Sequence, residues 1–429
     1  MDRIELSRAR AFKGEFSPPP DKSISHRSVI FSSLANGTST VRNFLRANDT
    51  FSTVNAFRAL GVDITDEGTT LTIRGKGLYG LSEPRDVVDC GNSGTTIRLL
   101  SGVLSGNPFF SVLTGDGSLR TRPMARVIAP LSLMGARIMA RDNDRYPPLA
   151  IEGEKLRPIA YEMPVASAQV KSSLLLAGLY AEGCTEITEP VKSRDHSEKM
   201  LPAFGADLTV EGLRTTVRGG RELHPMDTHI PGDFSSAAFF IVAALLIPGA
   251  EITVRNVGIN PTRTGLLEVL KKMGAAIEVT NIHAVSGEPV ADIYCRGKAA
   301  LKAVSITGES VPSLIDEFPI LCVAAALAEG TTTIKGAEEL RLKESDRIKT
   351  IATELRKMGV EIEEYPDGLS IKGTDKIKGA EVESHDDHRI AMSMTIASLA
   401  AEGRTVLHGA SAVDISFPGF FDIIGRLSS

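Results

Sequence analysis

The apolar residues of the chain fall into runs of helix length, and the same arrangement recurs six times along the sequence. A polar residue opens each run, and a glycine or a turn follows its end. The runs include residues 28–35, 174–181, 237–247, 320–328 and 391–401. The opening residues are Asp21, Asn92, Ser167, Asp233, Asp316 and Asp386. Because Asp, Asn and Ser accept hydrogen bonds from the free N–H groups at a helix start, we expect each of them to be a helix N-cap.

A short strand-like segment follows each run, and in most copies a second, amphipathic helix comes next. The strand-like segments are residues 38–43, 109–113, 185–188, 251–256, 331–335 and 404–408. A glycine in the left-handed conformation is the usual end of such a helix, and the candidates are Gly61, Gly135, Gly205, Gly274 and Gly359. Residues that alternate between apolar and polar then predict a hairpin, as in residues 62–74 and 360–372. The repeating unit is therefore predicted to be β-α-β-α-β-β, which is an α/β (α+β) fold.

The sixth copy lacks a hairpin, since the chain stops at Ser429 soon after its last helix. Residues 4–16 are strand-like and belong to no other copy, so we expect them to complete the sixth. Domain one is then predicted at residues 21–230 with copies one to three. Domain two is predicted at residues 1–20 and 231–429 with copies four to six. The proline-rich crossings near residues 17–20 and 224–232 predict a hinge.

Charge and composition narrow the function. The net charge of the 429-residue chain is −5, which argues against nucleic acid as a partner. Residues 1–16 are charged throughout and are not expected to be a signal peptide, and the apolar stretch 237–248 is too short to span a membrane. The four cysteines have no metal or redox spacing, which fits a reducing compartment. The prediction is a soluble cytoplasmic protein with no nucleic-acid or membrane partner.

Cations and small polar residues gather where the predicted helices start. A helix N-terminus stabilises an anion by about 0.3–1 kcal/mol, and a nearby Lys or Arg adds to this. The residues concerned are Lys22, Ser23, Arg27, Gly94, Arg122, Ser167, Ala168, Gln169, Lys343, Arg347 and Arg389, with Ser345 expected to cap the helix that Arg347 enters. Like charges in one cleft repel one another, and a bound anion neutralises this repulsion. So many cations predict a cleft between two domains that receives two anionic substrates.

Several kinds of chemistry have no motif in this sequence. There is no Walker A loop, no Gly-x-Gly-x-x-Gly fingerprint, no Gly-x-Ser-x-Gly elbow and no Cys–His pair. Residues 385–388 resemble a metal site, but no second pair of ligands accompanies them, so we expect no metal and no cofactor. Acid–base catalysis by carboxylates remains, and Asp316, Glu317 and Glu344 are the best-placed acids.

Taken together, these ordered motifs resemble the 5-enolpyruvylshikimate-3-phosphate synthase (3-phosphoshikimate 1-carboxyvinyltransferase) family from Asp21 to Pro418. The resemblance implies a two-domain inside-out α/β barrel of six βαβαββ units, three per domain. It implies transfer of the enolpyruvyl group of phosphoenolpyruvate to the 5-hydroxyl of shikimate 3-phosphate, with release of phosphate and without metal or cofactor. Members of the family act in the shikimate pathway to chorismate and aromatic amino acids, are targets of glyphosate and are usually monomers.

The resemblance also implies roles for residues. Contacts to shikimate 3-phosphate are implied for Lys22, Ser23, Arg27, Ser167, Ala168, Gln169, Ser193, Asp316 and Lys343. Contacts to phosphoenolpyruvate are implied for Lys22, Gly94, Arg122, Gln169, Glu344, Arg347 and Arg389. As a hypothesis for catalysis, Asp316 accepts the hydroxyl proton, Glu344 handles the carbon-bound proton, and Lys22 stabilises or protonates the departing phosphate. Two positions depart from the family pattern, since Pro20 stands where many members have Gly, and Ile415 where some have Lys.

Three alternatives stay open at this point. The enolpyruvyl transferase that acts on UDP-N-acetylglucosamine resembles this fold, but it typically uses a cysteine in the loop that corresponds to residues 115–123, which has none here. The RNA 3′-phosphate cyclase shares part of the repeat, but the acidic net charge weighs against an RNA partner. A non-enzymatic anion-binding scaffold would bind both anions without releasing phosphate.

Overall fold

The computed structural model describes residues 2–297 and 300–428, and its chain divides into two compact units. The continuous unit is Pro20–Ile230, and the discontinuous unit combines Met1–Pro19 with Pro231–Ser429. Each unit has its own hydrophobic core and three repeats of the βαβαββ type, numbered one to six along the chain. Among the described residues, repeat six has three strands and each of the others has four.

The continuous unit surrounds three buried helices, one from each repeat. These helices are Lys22–Leu34, Gly94–Ser105 and Ala168–Gly178. The helices that lie towards solvent are Asn48–Ala59, Ala125–Leu133 and His196–Ala203, and a 3-10 turn covers Leu119–Thr121. Buried helices can lie together because their sequences are apolar or small on nearly every side, whereas the outer helices bury only one face.

For two of these three buried helices, the N-cap is the residue that the sequence analysis predicted. The predictions are confirmed for Asp21, which accepts a hydrogen bond from the backbone N–H of Ile24, and for Ser167. The prediction for Asn92 is wrong, because Ser93 caps the helix and accepts from Thr96. The Asn92 amide group instead donates to Asp116 and accepts from Arg122.

Each repeat of the continuous unit builds one four-stranded sheet. In the order of the βαβαββ unit, the first strand pairs in parallel with the second, and the second pairs antiparallel with the last strand of the hairpin. The first strand of repeat one is Thr228–His229, which comes last along the chain. The strands of repeat one are Asn36–Arg42, Asp63–Glu67, Thr70–Lys76 and Thr228–His229; of repeat two, Val88–Asp89, Phe110–Thr114, Arg137–Ala140 and Tyr146–Glu152; of repeat three, Ala160–Glu162, Cys184–Thr188, Asp207–Glu211 and Arg214–Arg218. A turn of largely left-handed residues, Arg141–Asp144, joins two strands of repeat two.

The discontinuous unit repeats the same plan. Its buried helices are Phe234–Leu246, Phe318–Ala326 and His388–Ala400. Its other helices are Gly265–Lys272, Arg347–Lys357 and Phe420–Ser428, with 3-10 turns at Val311–Ser313, Glu338–Leu342 and Ala410–Ile415. None of the helices within residues 2–297 and 300–428 combines the length and the apolar character that crossing a membrane requires.

The prediction of an N-cap is confirmed here for Asp233, but three others are wrong by one residue. The helix expected to start at Asp316 has Glu317 at its N-cap, and the Asp316 carboxylate contacts Arg347 and Arg389. Asp386 lies in a left-handed turn with φ of 56°, so the helix begins one residue later and Asp387 caps it. The third helix also begins one residue later than predicted: Asp346 caps it in place of Ser345 and accepts a hydrogen bond from the Lys349 backbone N–H.

The strands of this unit show how the N-terminal segment is used. The strands of repeat four are Lys13–Phe16, Glu251–Gly258, Ile277–Val285 and Glu288–Arg296; of repeat five, Ser305–Ile306, Thr331–Ile334, Glu361–Tyr365 and Gly368–Lys372; of repeat six, Arg3–Ser7, Glu381–Glu383 and Arg404–His408. Arg3–Ser7 pairs antiparallel with Arg404–His408 and so belongs to repeat six, as predicted.

The second half of the N-terminal segment does not belong to repeat six, contrary to the prediction. Lys13–Phe16 pairs in parallel with Glu251–Gly258 and is the first strand of repeat four. Packing explains this placement, because the Phe16 ring lies 4.3 Å from the ring of Phe240 on the buried helix of repeat four. Thr228–His229, which follows repeat three, correspondingly supplies the first strand of repeat one.

Candidate active site

Lys22 is the first residue of the buried helix of repeat one, and a carboxylate holds its side chain. The Lys22 Nζ atom lies 2.9 Å from Asp49 Oδ2, and the Lys22 side chain is 16% exposed. This exposure lets the ammonium group meet an anion while Asp49 fixes its direction. Sequence reasoning missed Asp49, because an acid in the first turn of an outer helix looks like an ordinary helix-dipole partner.

Arg27, one turn further along the same helix, is buried and ties repeat one to repeat three. Its Nε atom donates to Ser197 Oγ at 2.8 Å, and its Nη2 atom donates to Ser172 Oγ at 2.8 Å. Its Nη1 atom donates to the backbone carbonyl of Ser23 at 3.1 Å. These bonds fix the plane of the guanidinium beside the helix start. Ser172 and Ser197 give no sequence signal, since hydroxyls on helices are common.

A buried ionic cluster lies beneath the start of repeat three's buried helix. The Lys171 ammonium is 2.6 Å from Glu189 Oε2 and 2.6 Å from Glu198 Oε1, and all three side chains are buried. Glu189 Oε1 accepts a hydrogen bond from the Ser193 backbone N–H at 3.2 Å and another from the Ser193 hydroxyl. The Ser193 hydroxyl hydrogen is therefore committed to Glu189, and its oxygen is held in place.

Two arginines meet at the bare backbone of Gly94. A Cβ atom on Gly94 would lie 3.1 Å from Arg98 Nη1 and 3.2 Å from Arg122 Nη1, both tighter than ordinary contacts. Arg98 Nη1 donates to Gln169 Oε1 at 2.5 Å, and Gln169 Nε2 donates to Thr95 Oγ1 at 3.0 Å. Sequence reasoning identified Gly94, Arg122 and Gln169 but missed Arg98, whose position inside the helix suggested no ligand.

The second of these arginines, Arg122, is oriented by polar side chains. Its Nη2 atom donates to Asn92 Oδ1 at 2.5 Å and to Ser118 Oγ at 3.3 Å. Asn92 in turn donates to Asp116 Oδ2 at 2.6 Å. Arg98 and Arg122 are both buried, and two guanidiniums side by side repel unless an anion joins them. The start of this helix is thus suited to a small anion.

In the discontinuous unit, Arg347 lies at the centre of three carboxylates. Its Nε atom donates to Asp387 Oδ2 at 2.8 Å, its Nη2 atom to Glu344 Oε2 at 2.7 Å, and its Nη1 atom to Asp316 Oδ1 at 3.3 Å. Burial alone would lower the pKa of Arg347, but the carboxylates of Asp387, Glu344 and Asp316 raise it above its ordinary value. Burial likewise favours protonated Asp387, yet the Arg347 guanidinium holds the pKa of Asp387 below its usual range.

Asp316 joins a second arginine to this group. Its Oδ2 atom lies 3.1 Å from Arg389 Nη2, so the two carboxylate oxygens face two different guanidiniums. Asp316 and Glu344 are each 17% exposed, whereas Arg347 and Arg389 are buried. The carboxylates of Asp316 and Glu344 are thus the groups that a substrate can reach, whereas the two guanidiniums and the Asp387 carboxylate are buried. Lys343 precedes Glu344 in extended backbone and is partly exposed.

The sequence-predicted residues divide between the two units. The continuous unit holds Lys22, Ser23, Arg27, Gly94, Arg122, Ser167, Ala168, Gln169 and Ser193. The discontinuous unit holds Asp316, Lys343, Glu344, Arg347 and Arg389. Within the described parts of the chain, no three His, Cys, Asp or Glu side chains are grouped so that they could hold a metal ion.

Comparison with known proteins identifies the family of the chain. The family model of EPSP synthase (3-phosphoshikimate 1-carboxyvinyltransferase) matches residues 7–424. A 3-phosphoshikimate 1-carboxyvinyltransferase of Thermodesulfovibrio yellowstonii is 54% identical over 429 residues, covering 100% of both chains. One from Geobacter sulfurreducens is 55% identical over 420 residues, covering 98% of both chains.

Solved structures give the same result. EPSP synthase from Acinetobacter baumannii superposes with a TM-score of 0.87 at 47% identity, covering 99% of this chain and 98% of that one. The enolpyruvyl transferase NikO from Streptomyces tendae shares the fold, with a TM-score of 0.79 at 19% identity over 99% of this chain and 97% of that chain. These likenesses confirm the predicted α/β fold class. The chain belongs to the EPSP synthase (3-phosphoshikimate 1-carboxyvinyltransferase) family.

Proposed function

We propose that this chain is a transferase that moves the enolpyruvyl group of phosphoenolpyruvate to the 5-hydroxyl of shikimate 3-phosphate and releases phosphate. This reaction belongs to the shikimate pathway, which leads to chorismate and the aromatic amino acids. Family membership over residues 7–424 supports the reaction. The structural observation that carries it is the pair of buried guanidiniums, Arg98 and Arg122, against the bare backbone of Gly94. Such a pair suits a small anion that carries both a carboxylate and a phosphate, such as phosphoenolpyruvate.

Shikimate 3-phosphate binding involves both units in this proposal. Its residues are Lys22, Ser23, Arg27, Ser167, Ala168, Gln169, Ser193, Asp316 and Lys343. Support comes from two helix starts, at Lys22 and Ala168, whose backbone N–H groups and nearby cations favour a phosphate. The Ser193 oxygen can accept hydrogen bonds, but its hydrogen is donated to Glu189. Asp316 offers a carboxylate to the ring hydroxyls.

Phosphoenolpyruvate binding is assigned to Lys22, Gly94, Arg122, Gln169, Glu344, Arg347 and Arg389. We add Arg98, whose Nη1 atom lies against Gly94. The carboxylate and phosphate of this substrate each match the fork of a guanidinium. Arg389 contacts the Asp316 carboxylate, and Arg98 donates to the Gln169 side chain. These polar partners hold the two guanidiniums in position. Positioned donors of this kind stabilise charge without reorganising during the reaction.

The proposed chemistry is an addition followed by an elimination. A proton adds to the methylene carbon of phosphoenolpyruvate, and the 5-hydroxyl oxygen bonds to the adjacent carbon while losing its own proton. Loss of a methyl proton then restores the double bond and breaks the bond to phosphate. Asp316 accepts the hydroxyl proton, Glu344 handles the carbon-bound proton, and Lys22 stabilises or protonates the departing phosphate. The contacts of Asp316 with Arg347 and Arg389 favour its ionised form, which an acceptor requires.

A phosphate-release assay tests the function. We expect phosphate from phosphoenolpyruvate with shikimate 3-phosphate, and none with UDP-N-acetylglucosamine in its place. Release only with the nucleotide sugar, or with neither acceptor, would reject the proposal. Asp316→Ala and Glu344→Gln should each lower kcat at least 100-fold in folded protein, as judged by circular dichroism. Glu361→Gln, which removes an exposed partner of Lys372, is the control and should keep full activity.

The remaining assignments are part of the same proposal. The two compact units act as the two domains, with residues 17–20 and 224–232 as the hinge. The protein acts as a monomer in the cytoplasm, where its phosphorylated substrates occur. Size-exclusion chromatography with light scattering tests the monomer, since a mass of twice 45.8 kDa at working concentration would contradict it.

A further inference from the structure

A buried chain of polar side chains links the helix that carries Lys22 to the start of the helix that carries Gly94. The His26 Nδ1 atom lies 2.6 Å from Thr53 Oγ1, which lies 2.7 Å from Thr96 Oγ1. Thr96 Oγ1 then donates to Ser93 Oγ at 2.8 Å. All four side chains are buried, and they come from three different elements of the continuous unit. We call these four residues the relay.

The direction of the hydrogen bonds in the relay follows from counting hydrogens. A hydroxyl has one hydrogen, and Thr96 gives its hydrogen to Ser93. Thr53 must therefore donate to Thr96, and the Thr53 oxygen must accept from His26 Nδ1–H. The imidazole therefore carries a hydrogen on Nδ1. Its Nε2 atom has no hydrogen-bond partner among the residues that the structure describes, which suits a nitrogen without hydrogen.

The far end of the relay is the N-cap of the helix Gly94–Ser105. Ser93 Oγ accepts from the Thr96 backbone N–H at 3.1 Å in addition to the Thr96 hydroxyl. The next residue, Gly94, is the place where two buried guanidiniums lie against the backbone. A shift of this helix start by a few tenths of an ångström would change every distance between the Gly94 backbone and those cations.

We propose that His26 is a positioning residue for phosphoenolpyruvate binding, which acts through Thr53, Thr96 and Ser93 to hold the helix start at Gly94. The inference rests on the function proposed above. The charge of His26 agrees with this role, because burial lowers its pKa to about 3 and keeps the imidazole neutral at pH 7. A purely space-filling histidine would instead affect stability without favouring one substrate.

Steady-state kinetics of four variants test the role. His26→Leu and Thr53→Val each break the relay, whereas His26→Asn keeps an N–H donor near the Nδ1 position. We expect the first two to raise KM for phosphoenolpyruvate about tenfold and to change KM for shikimate 3-phosphate less than twofold, with His26→Asn close to wild type. Ser101→Ala is the control, since it removes a buried hydroxyl of the same helix that bonds Ile97 outside the relay.

Non-additivity provides a second kinetic criterion. Because His26 and Thr53 act through one path, the double variant should raise KM for phosphoenolpyruvate no more than either single variant does. Equal increases in both KM values, a fully additive double variant, or an unchanged KM for phosphoenolpyruvate in His26→Leu would each overturn the proposal.

Nitrogen NMR of the wild-type protein tests the relay without using activity. Long-range proton–nitrogen spectra of protein labelled at its 8 histidines report which ring nitrogen carries hydrogen, and the signals missing from His26→Asn identify this residue. We expect a protonated Nδ1 and an unprotonated Nε2 at pH 7. The opposite tautomer, or an imidazolium, would overturn the inference. If the wild type releases no phosphate, the proposed function fails, whereas the tautomer result still judges the relay.

Discussion

The Nε atom of Arg347 donates to Asp387 Oδ2 at 2.8 Å, and both side chains are almost completely buried. Glu344 and Asp316 contact the remaining guanidinium nitrogens, so this arginine faces a surplus of negative charge. The two partly exposed carboxylates can therefore turn to a substrate while Asp387 still neutralises the guanidinium. Asp387 is thus the structural partner of Arg347, a role that the sequence did not indicate.

Removing the charge of Asp387 should destabilise the protein. Asp387→Asn keeps an oxygen to cap the helix at Arg389 but leaves the buried Arg347 with one carboxylate fewer. We expect the free energy of unfolding to fall by about 3 kcal/mol, the lower end for a broken buried pair, because Glu344 and Asp316 remain. Urea denaturation followed by circular dichroism measures this. Glu361→Gln, at an exposed pair, should change it by less than about 0.5 kcal/mol, and equal losses in the two variants would contradict the prediction.

A methyl group on Gly94 should weaken phosphoenolpyruvate binding selectively. In Gly94→Ala the new Cβ would meet Arg98 Nη1 at 3.1 Å and Arg122 Nη1 at 3.2 Å, so both guanidiniums must shift. We expect KM for phosphoenolpyruvate to rise about tenfold, with KM for shikimate 3-phosphate nearly unchanged. Gly425→Ala is the matched control, because that helical glycine has open space around it. An unchanged KM for phosphoenolpyruvate in Gly94→Ala would show that the arginines adapt without cost.

Acid should destabilise the fold partly through His26. The folded protein does not protonate His26 until a pKa of about 3, whereas the unfolded chain binds this proton below about pH 6.5. The unfolded state therefore binds more protons between these two pH values. As the pH is lowered through this range, His26 reduces the free energy of unfolding by at most about 1.4 kcal/mol per pH unit. His26→Asn should remove that part of the slope between pH 6.5 and 4. His283→Asn, at an exposed histidine, should leave it, and parallel curves for wild type and His26→Asn would disprove the prediction.

Replacement of Arg27 by lysine should affect the other substrate. One ammonium group cannot reach Ser197, Ser172 and the Ser23 carbonyl together as the fork of Arg27 does. We expect Arg27→Lys to raise KM for shikimate 3-phosphate at least tenfold and that for phosphoenolpyruvate much less. Arg74→Lys, at an exposed pair with Asp63, serves as the control in the same assay. If both substrates were affected equally, Arg27 would have a general structural role.

Local patterns predicted the repeats well. Alternation of apolar and polar residues located hairpins such as that of repeat five, and apolar runs located the buried helices, because these features depend on neighbouring residues. The helix starts were less accurate, since Asn92, Asp316 and Asp386 each precede the true cap by one residue. A linear pattern does not show that Arg122 contacts Asn92 or that Arg347 and Arg389 contact Asp316. It also does not show that Asp386 lies in a left-handed turn.

Long-range relationships account for most of what the sequence did not reveal. The placement of Lys13–Phe16 in repeat four depends on packing against residues more than two hundred positions away. Candidate site residues at helix starts could be predicted because glycine, hydroxyls and cations cluster there. Asp49, Arg98 and Ser197 were missed because each is an unremarkable polar residue on its own helix, and only the tertiary fold brings it to a partner.

The pairing of Arg3–Ser7 with Arg404–His408 has a consequence for synthesis on the ribosome. Arg3–Ser7 leaves the ribosome about 400 residues before its partner strand, which at about 5–20 residues per second is a delay of roughly 20–80 s. The continuous unit contains all of its strands once residue 230 has emerged, so it can fold while the nascent chain still holds an unpaired amino-terminal segment. A chaperone that binds extended chains would find its target in that interval.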